Sequence, residues 1–118
     1  MNEEWKIKWV DALRSGKYPK TRHHLHAGKC YCALGVLVEL VYGKENWVDS
    51  TFRDAEGKKV YRMSIENAGL FSFVYSAFHE DFYDKTGLDE NLMMAVEYLN
   101  DGENKRFKTI ANWIEETL

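Results

Sequence analysis

The feature that most constrains this chain is a short segment, from about Tyr31 to Tyr42, that is apolar on nearly every side of a helical projection. A helix that is hydrophobic all round is buried in the centre of its domain. The helix is expected to end at Gly43. Gly35 lies inside it, where glycine costs about 1 kcal/mol relative to alanine. We expect Gly35 to permit close packing against another segment.

Four further elements are expected before the last third of the chain. Residues 3–15 carry apolar residues at helical spacing and predict an amphipathic helix. Residues 47–63 predict a β-hairpin around a turn at residues 54–57. Ser64 is expected to cap a short helix, and aromatic residues at helical spacing predict another helix from Phe71 to Asp84.

The last third predicts a pair of helices. One apolar stripe runs from Leu88 to Leu99 and a second from Phe107 to Leu118, with a helix-breaking segment between them. Two helices joined by a short loop form an antiparallel αα-hairpin that buries both stripes. The expected fold class is therefore α+β and mostly helical, with a central buried helix, a β-hairpin and a C-terminal αα-hairpin, in a single domain over residues 1–118.

Composition excludes two classes of protein. Hydrophobic residues make up 45% of the chain and aromatic residues 14%, which is too apolar for a disordered chain. The longest apolar run, Ala33 to Val41, is too short to cross a bilayer, and the acidic first residues do not resemble a signal peptide. We expect a cytoplasmic protein with no membrane contact, in which Cys30 and Cys32 stay reduced.

Charge is distributed unevenly along the chain. The net charge is −3, but residues 14–29, here called the basic segment, contain five cations, three histidines and no acid. Such asymmetry indicates an anionic partner. The alternative, to which we give equal weight, is that the basic segment docks on the acidic surface of the same molecule.

Four short blocks follow one another along the chain: Leu13–Tyr18, Tyr31–Leu40, Leu99–Gly102 and Phe107–Glu115. Together they resemble a family of small uncharacterised phage and prophage proteins. The family pattern reads Leu-Arg-Ser-Gly-x-Tyr, then aromatic-Cys-Cys-Leu-Gly-Val-Leu-Cys-Asp, then Asn-Asp, then Phe-x-x-Ile-Ala-x-x-Ile. The resemblance implies a phage origin, and hence the cytoplasm of the host cell, but no known activity.

The chain departs from this pattern at two of the family's three cysteines. Cys32 matches the first, whereas Ala33 and Val38 occupy the other two positions. A metal site built on those three positions is therefore excluded here. Pro19 also stands where the family tends to have a polar residue, so we expect the start of the basic segment to bend differently.

Two chemical sites remain as weaker alternatives. His24, His26, Cys30 and Cys32 are residue types that bind zinc, although their spacing differs from that of known structural sites and a large core removes the need for a metal. Cys32 near a helix N-terminus is also a candidate nucleophile, with His79 as its base. The simpler interpretation is that Cys32 is a small buried hydrophobe. We therefore expect no metal and no cofactor.

The main candidate site is an anion pocket formed by the basic segment next to the N-terminus of the central helix. Helix N-termini bind anions, Arg and Lys bind phosphate, and Tyr can stack on a base. No glycine-rich phosphate loop is present. The candidate ligand-binding residues are Arg14, Lys17, Lys20, Arg22, His24, His26, Lys29 and Tyr31. Duplex DNA is an unlikely partner because the chain is acidic and Glu115 and Glu116 lie on its last helix.

Our leading hypothesis is a phage-encoded, non-enzymatic binding protein that acts on a host component. In its sharpest form the protein sequesters an anionic nucleotide, such as a host immune signal. The alternatives are a cysteine hydrolase that uses Cys32, an inhibitor that binds a host protein, and a virion or assembly protein. The sequence leaves open whether the chain forms a homo-oligomer.

Overall fold

The computed structural model describes residues 1–65, 69–71 and 79–118. Within these residues the α-helices are α1 (Glu3–Arg14), α2 (Ala33–Tyr42), α3 (His79–Thr86), α4 (Glu90–Glu97) and α5 (Phe107–Thr117). The strands are β1 (His26–Ala27), β2 (Cys30–Tyr31), β3 (Trp47–Arg53), β4 (Lys59–Ile65) and β5 (Gly69–Phe71). A 3-10 turn, Lys44–Asn46, precedes β3, and a π-helical turn, Tyr98–Gly102, follows α4. The α+β, mostly helical class is confirmed.

Helix α2 is the centre of the core, as its composition predicts. Its first six residues are buried, and Gly43 closes it with a φ of 95°. Gly35 is the point of closest approach: a Cβ added there would overlap the carbonyl oxygen of Leu25. The expectation that Gly35 allows close packing is therefore confirmed, and the packing partner is backbone.

The sheet is antiparallel, with strand order β2-β1-β4-β3, and β5 pairs with β4. The β3–β4 hairpin confirms the prediction for residues 47–63. Its turn is held by Asp54, whose Oδ1 accepts from the backbone N–H groups of Glu56 and Lys58, at 2.9 Å each. Gly57 supplies the positive φ, 81°, that completes the turn.

The helices pack in pairs that are distant in sequence. Helix α5 lies against α1, and α4 lies against α2. Trp9 of α1 joins this arrangement to the centre, because its buried Nε1 donates to the carbonyl oxygen of Ala33 at 2.8 Å. Helices α4 and α5 follow each other along the chain as predicted, but α4 packs on the central helix α2 and α5 packs on α1.

Two local predictions are wrong. Ser64 lies within β4 and caps no helix, and Phe71 lies in β5, where it pairs with Met63. Aromatic residues suit strands as well as helices, and β4 supplies the backbone partners that decide between them. The later part of the second prediction is confirmed, because residues 79–84 are helical, in α3. Residues 72–78 of the predicted helix lie outside the described residues.

No helix in the described part of the chain combines the length and the apolar character that a membrane span requires.

Candidate functional site

A groove of about 610 Å³ lies beside the basic segment. Residues 20–24 form one wall, and residues of the β3–β4 turn, Asp54 to Glu56 with Lys58, form the other. Asn104 also lines it. The volume falls in the range of sites for small molecules, about 300–1,000 Å³.

The basic wall is held in place by backbone hydrogen bonds to β2. Tyr31 donates its N–H to the carbonyl oxygen of Pro19 at 2.7 Å, and its own carbonyl oxygen accepts from the N–H of Thr21 at 2.8 Å. His23 then adopts a left-handed φ of 70°. This turns the chain after Arg22 and brings successive polar side chains into one groove wall.

Lys20 and Arg22 are positioned by oxygens that carry no net charge. Lys20 Nζ donates to the carbonyl oxygen of Asn100 at 3.0 Å and to Oδ1 of Asn104 at 2.8 Å. Arg22 donates through Nε and Nη2 to the carbonyl oxygen of Asp101, at 3.0 and 2.5 Å. Among the described residues no carboxylate forms an ion pair with either cation. Both are therefore fixed in place without being neutralised by a contacting acid.

Burial adds to this effect at Lys20. Desolvation lowers the pKa of the Lys20 ammonium, with the charge of Arg22 acting in the same direction and that of Asp101 opposing it. A partly desolvated ammonium has lost water that an anion can replace.

Asn100 and Asp101 connect the basic wall to the core. Asn100 is 1% exposed; its Oδ1 accepts from the N–H of Ala33, and its Nδ2 donates to the carbonyl oxygen of Thr21, at 3.0 Å each. Asp101 Oδ1 accepts from the N–H of His23 at 2.9 Å. In the sequence this segment stands out as a helix breaker and as the Asn-Asp block of the family pattern, but neither feature predicted that Asn100 and Asp101 hold the basic wall.

The same contacts occupy the N-terminus of α2. The N–H of Ala33 is bonded to Asn100, and the N–H of Gly35 donates to Cys32 Sγ at 3.3 Å. The protein's own side chains therefore satisfy the groups that were expected to hold an anion there. The groove lies instead along residues 20–24.

The turn wall carries charges of both signs. Lys58 Nζ lies 3.2 Å from Glu56 Oε2 in an exposed ion pair. The backbone N–H of Lys58, and then that of Glu56, lower the pKa of the Asp54 carboxyl. Phe52 adjoins this wall: it is 52% exposed, and its ring centroid lies 6.3 Å from that of His24. Lys58 and Phe52 were missed because their proximity depends on how the hairpin packs.

The predicted ligand-binding residues therefore separate into distinct places. Lys20, Arg22 and His24 share the groove. Arg14 lies between α1 and α5, where its Nη1 is 3.0 Å from Glu115 Oε2. This contact bears out, for one cation, the alternative that the basic segment pairs with acids of the same molecule. Exposed Lys17 and Lys29 lie outside the groove lining, while His26 and Tyr31 are each 8% exposed.

His26 and Tyr31 belong to a buried aromatic cluster. The His26 ring stacks on Tyr31 at 4.1 Å and on Tyr61 at 4.4 Å. Tyr31 Oη and Trp47 Nε1 both donate to Oε1 of Glu39, at 2.7 and 2.9 Å. Burial lowers the pKa of His26 and so favours its neutral form. The cluster fixes the sheet against α2.

The described residues give no support to either weaker chemical site. Burial raises the pKa of Cys32 to about 12, so this residue remains a thiol at neutral pH, which disfavours a nucleophilic role. The side chain of His79 lies outside the described part of the structure. Within the described ranges, which include His24, His26 and both cysteines, no three His, Cys, Asp or Glu side chains are grouped as metal ligands.

Comparison with known proteins identifies a family but no activity. No curated protein and no solved structure matched the chain. A family model described as a domain of unknown function, DUF8296, matches residues 1–118. Because the match covers the whole chain, the protein belongs to the DUF8296 family.

Proposed function

We propose that this protein is a non-enzymatic binding protein that holds an anionic, phosphorylated small molecule in the groove. The observation that carries the proposal is the placement of Lys20 and Arg22 by uncharged oxygens. Phosphate forms short, charge-assisted hydrogen bonds with both side-chain types. Because the two side chains are already ordered, binding loses less conformational entropy than it would at mobile surface lysines.

In its sharpest form, the ligand is a nucleotide and the protein sequesters it. A groove of about 610 Å³ is large enough for such a ligand. Binding without turnover is favoured because the Asp54 carboxylate is engaged by its own turn and the buried Cys32 is outside the groove lining. The resemblance to phage proteins supports a phage-encoded antagonist that removes a host signal.

The test is a charge reversal with a matched control. Arg22→Glu places a negative charge in the groove, and Lys17→Glu makes the same change of charge in the same segment but outside the groove lining. We expect calorimetric titration with ATP, GTP and tripolyphosphate at low salt to show binding by wild type and Lys17→Glu. Arg22→Glu should bind none of them.

A second substitution separates lost charge from lost structure. Arg22→Gln removes the charge without reversing it and should weaken binding, while its thermal unfolding should stay close to that of wild type. Unchanged affinity in a folded Arg22→Glu protein would refute the assignment. So would equal losses in Arg22→Glu and Lys17→Glu, because that result would reflect overall charge alone.

A further inference from the structure

Phe52 is an exposed aromatic residue at the edge of the groove. Its side chain is 52% exposed, and single exposed hydrophobic residues are common on protein surfaces. Its position distinguishes it from an ordinary surface residue. Phe52 neighbours the ring of His24, which lines the groove, and it precedes Asp54 of the opposite wall by two residues. Phe52 is not itself one of the lining residues. Its ring is tilted by 57° to that of His24, and it therefore extends the groove with an apolar surface just beyond His24.

The charges of the groove give any bound phosphate a preferred end. Lys20 and Arg22, on the basic wall, form no ion pair among the described residues. The carboxylate of Asp101 lies beside them and acts on Lys20, so this wall has two cations against one acid. The turn wall carries Asp54, and its one lysine is already paired with Glu56. A phosphate is attracted to the first wall and repelled by the second. The uncharged part of a phosphorylated ligand is thereby directed toward the turn and Phe52.

We infer that Phe52, together with His24, is a stacking platform for the base of a nucleoside phosphate whose phosphates contact Lys20 and Arg22. This inference rests on the proposed function and adds the position and chemistry of the base. Aromatic side chains stack on any base, because every base has a π-face. Tyr31, the stacking residue expected from the sequence, is 8% exposed and already stacked on His26, whereas Phe52 is 52% exposed.

The test compares ligands that share phosphates but differ in the base. ATP and GTP carry a base, whereas tripolyphosphate has the phosphate chain alone. Each is titrated calorimetrically, without divalent cations, into wild type, Phe52→Leu and Tyr83→Leu. Tyr83 is a matched control because it is 50% exposed and lies on α3, outside the groove lining.

We expect Phe52→Leu to lower the affinity for ATP and GTP about tenfold or more, a loss consistent with removing one base-stacking contact. Its affinity for tripolyphosphate should be unchanged. Tyr83→Leu should bind all three probes as wild type does. Phe52→Trp, which keeps an aromatic surface, should retain nucleotide binding.

Three outcomes would overturn the inference. If Phe52→Leu keeps its nucleotide affinity while wild type binds all three probes, Phe52 is not a stacking platform, and the proposal of an anion-binding groove stands without it. An equal loss of all three probes shows that the substitution damages the groove in general. No binding of any probe by wild type overturns the platform and the proposed function together.

Discussion

Substituting Gly35 by alanine tests the packing at the centre of the fold. Helix propensity alone favours alanine over glycine by about 1 kcal/mol. Against this, the new Cβ would overlap the carbonyl oxygen of Leu25, a buried residue. Moving that oxygen away also weakens its hydrogen bond from the N–H of Cys32, which is 3.2 Å long. Forcing atoms into a packed core costs about 1–3 kcal/mol, occasionally more.

The contact is to backbone, which cannot rotate away, so we expect a cost at or above the upper end of that range. After subtraction of the propensity gain, Gly35→Ala should lower the free energy of unfolding by about 2 kcal/mol or more. Urea denaturation followed by tryptophan fluorescence measures this.

Gly57→Ala is the control, because its added Cβ meets no atom within 4 Å and only its positive φ is strained. It should cost about 1 kcal/mol. Stabilisation of Gly35→Ala by about 1 kcal/mol, the propensity gain alone, would refute the close approach.

Two further predictions concern Cys32 and His26. In the folded protein at about pH 8, iodoacetamide should modify the partly exposed Cys30 and spare Cys32, because burial raises the pKa of Cys32 to about 12. Mass spectrometry of the Cys30→Ser protein, treated with the reagent before and after denaturation, measures the reaction at Cys32 alone. Modification of Cys32 in the folded state would contradict the prediction. Burial lowers the pKa of His26, so the unfolded state takes up the proton first below about pH 6.5, and stability falls as the pH falls. Wild type should therefore lose more stability than His26→Phe between about pH 7.5 and pH 5.5, and equal losses in urea denaturation would contradict this.

Local patterns predicted much of the fold because their determinants lie close together in sequence. The run of apolar residues identified α2, and the residues around Gly57 identified the β3–β4 turn. Strand β5 was missed because its residues fit either a helix or a strand, and the choice depends on pairing with β4.

The candidate site was less predictable because it depends on contacts between distant residues. Arg14 and Lys20 look equivalent in the sequence. Packing of α1 on α5 places Arg14 beside Glu115, 101 residues away, whereas Lys20 reaches uncharged oxygens 80 and 84 residues away. The number of cations in the segment was visible, but tertiary structure decides which of them forms an ion pair with a carboxylate.

The most direct test of the central claim is to map where a phosphorylated ligand binds. Amide chemical shifts of the ¹⁵N-labelled protein would be recorded during titrations with tripolyphosphate and ATP. Binding in the groove predicts saturable shifts concentrated in residues 20–24 and 54–58 and in the adjoining turn at Asp101. Saturable shifts centred elsewhere, such as on α5 around Arg14 and Glu115, or no saturable shifts with either probe, would contradict the claim.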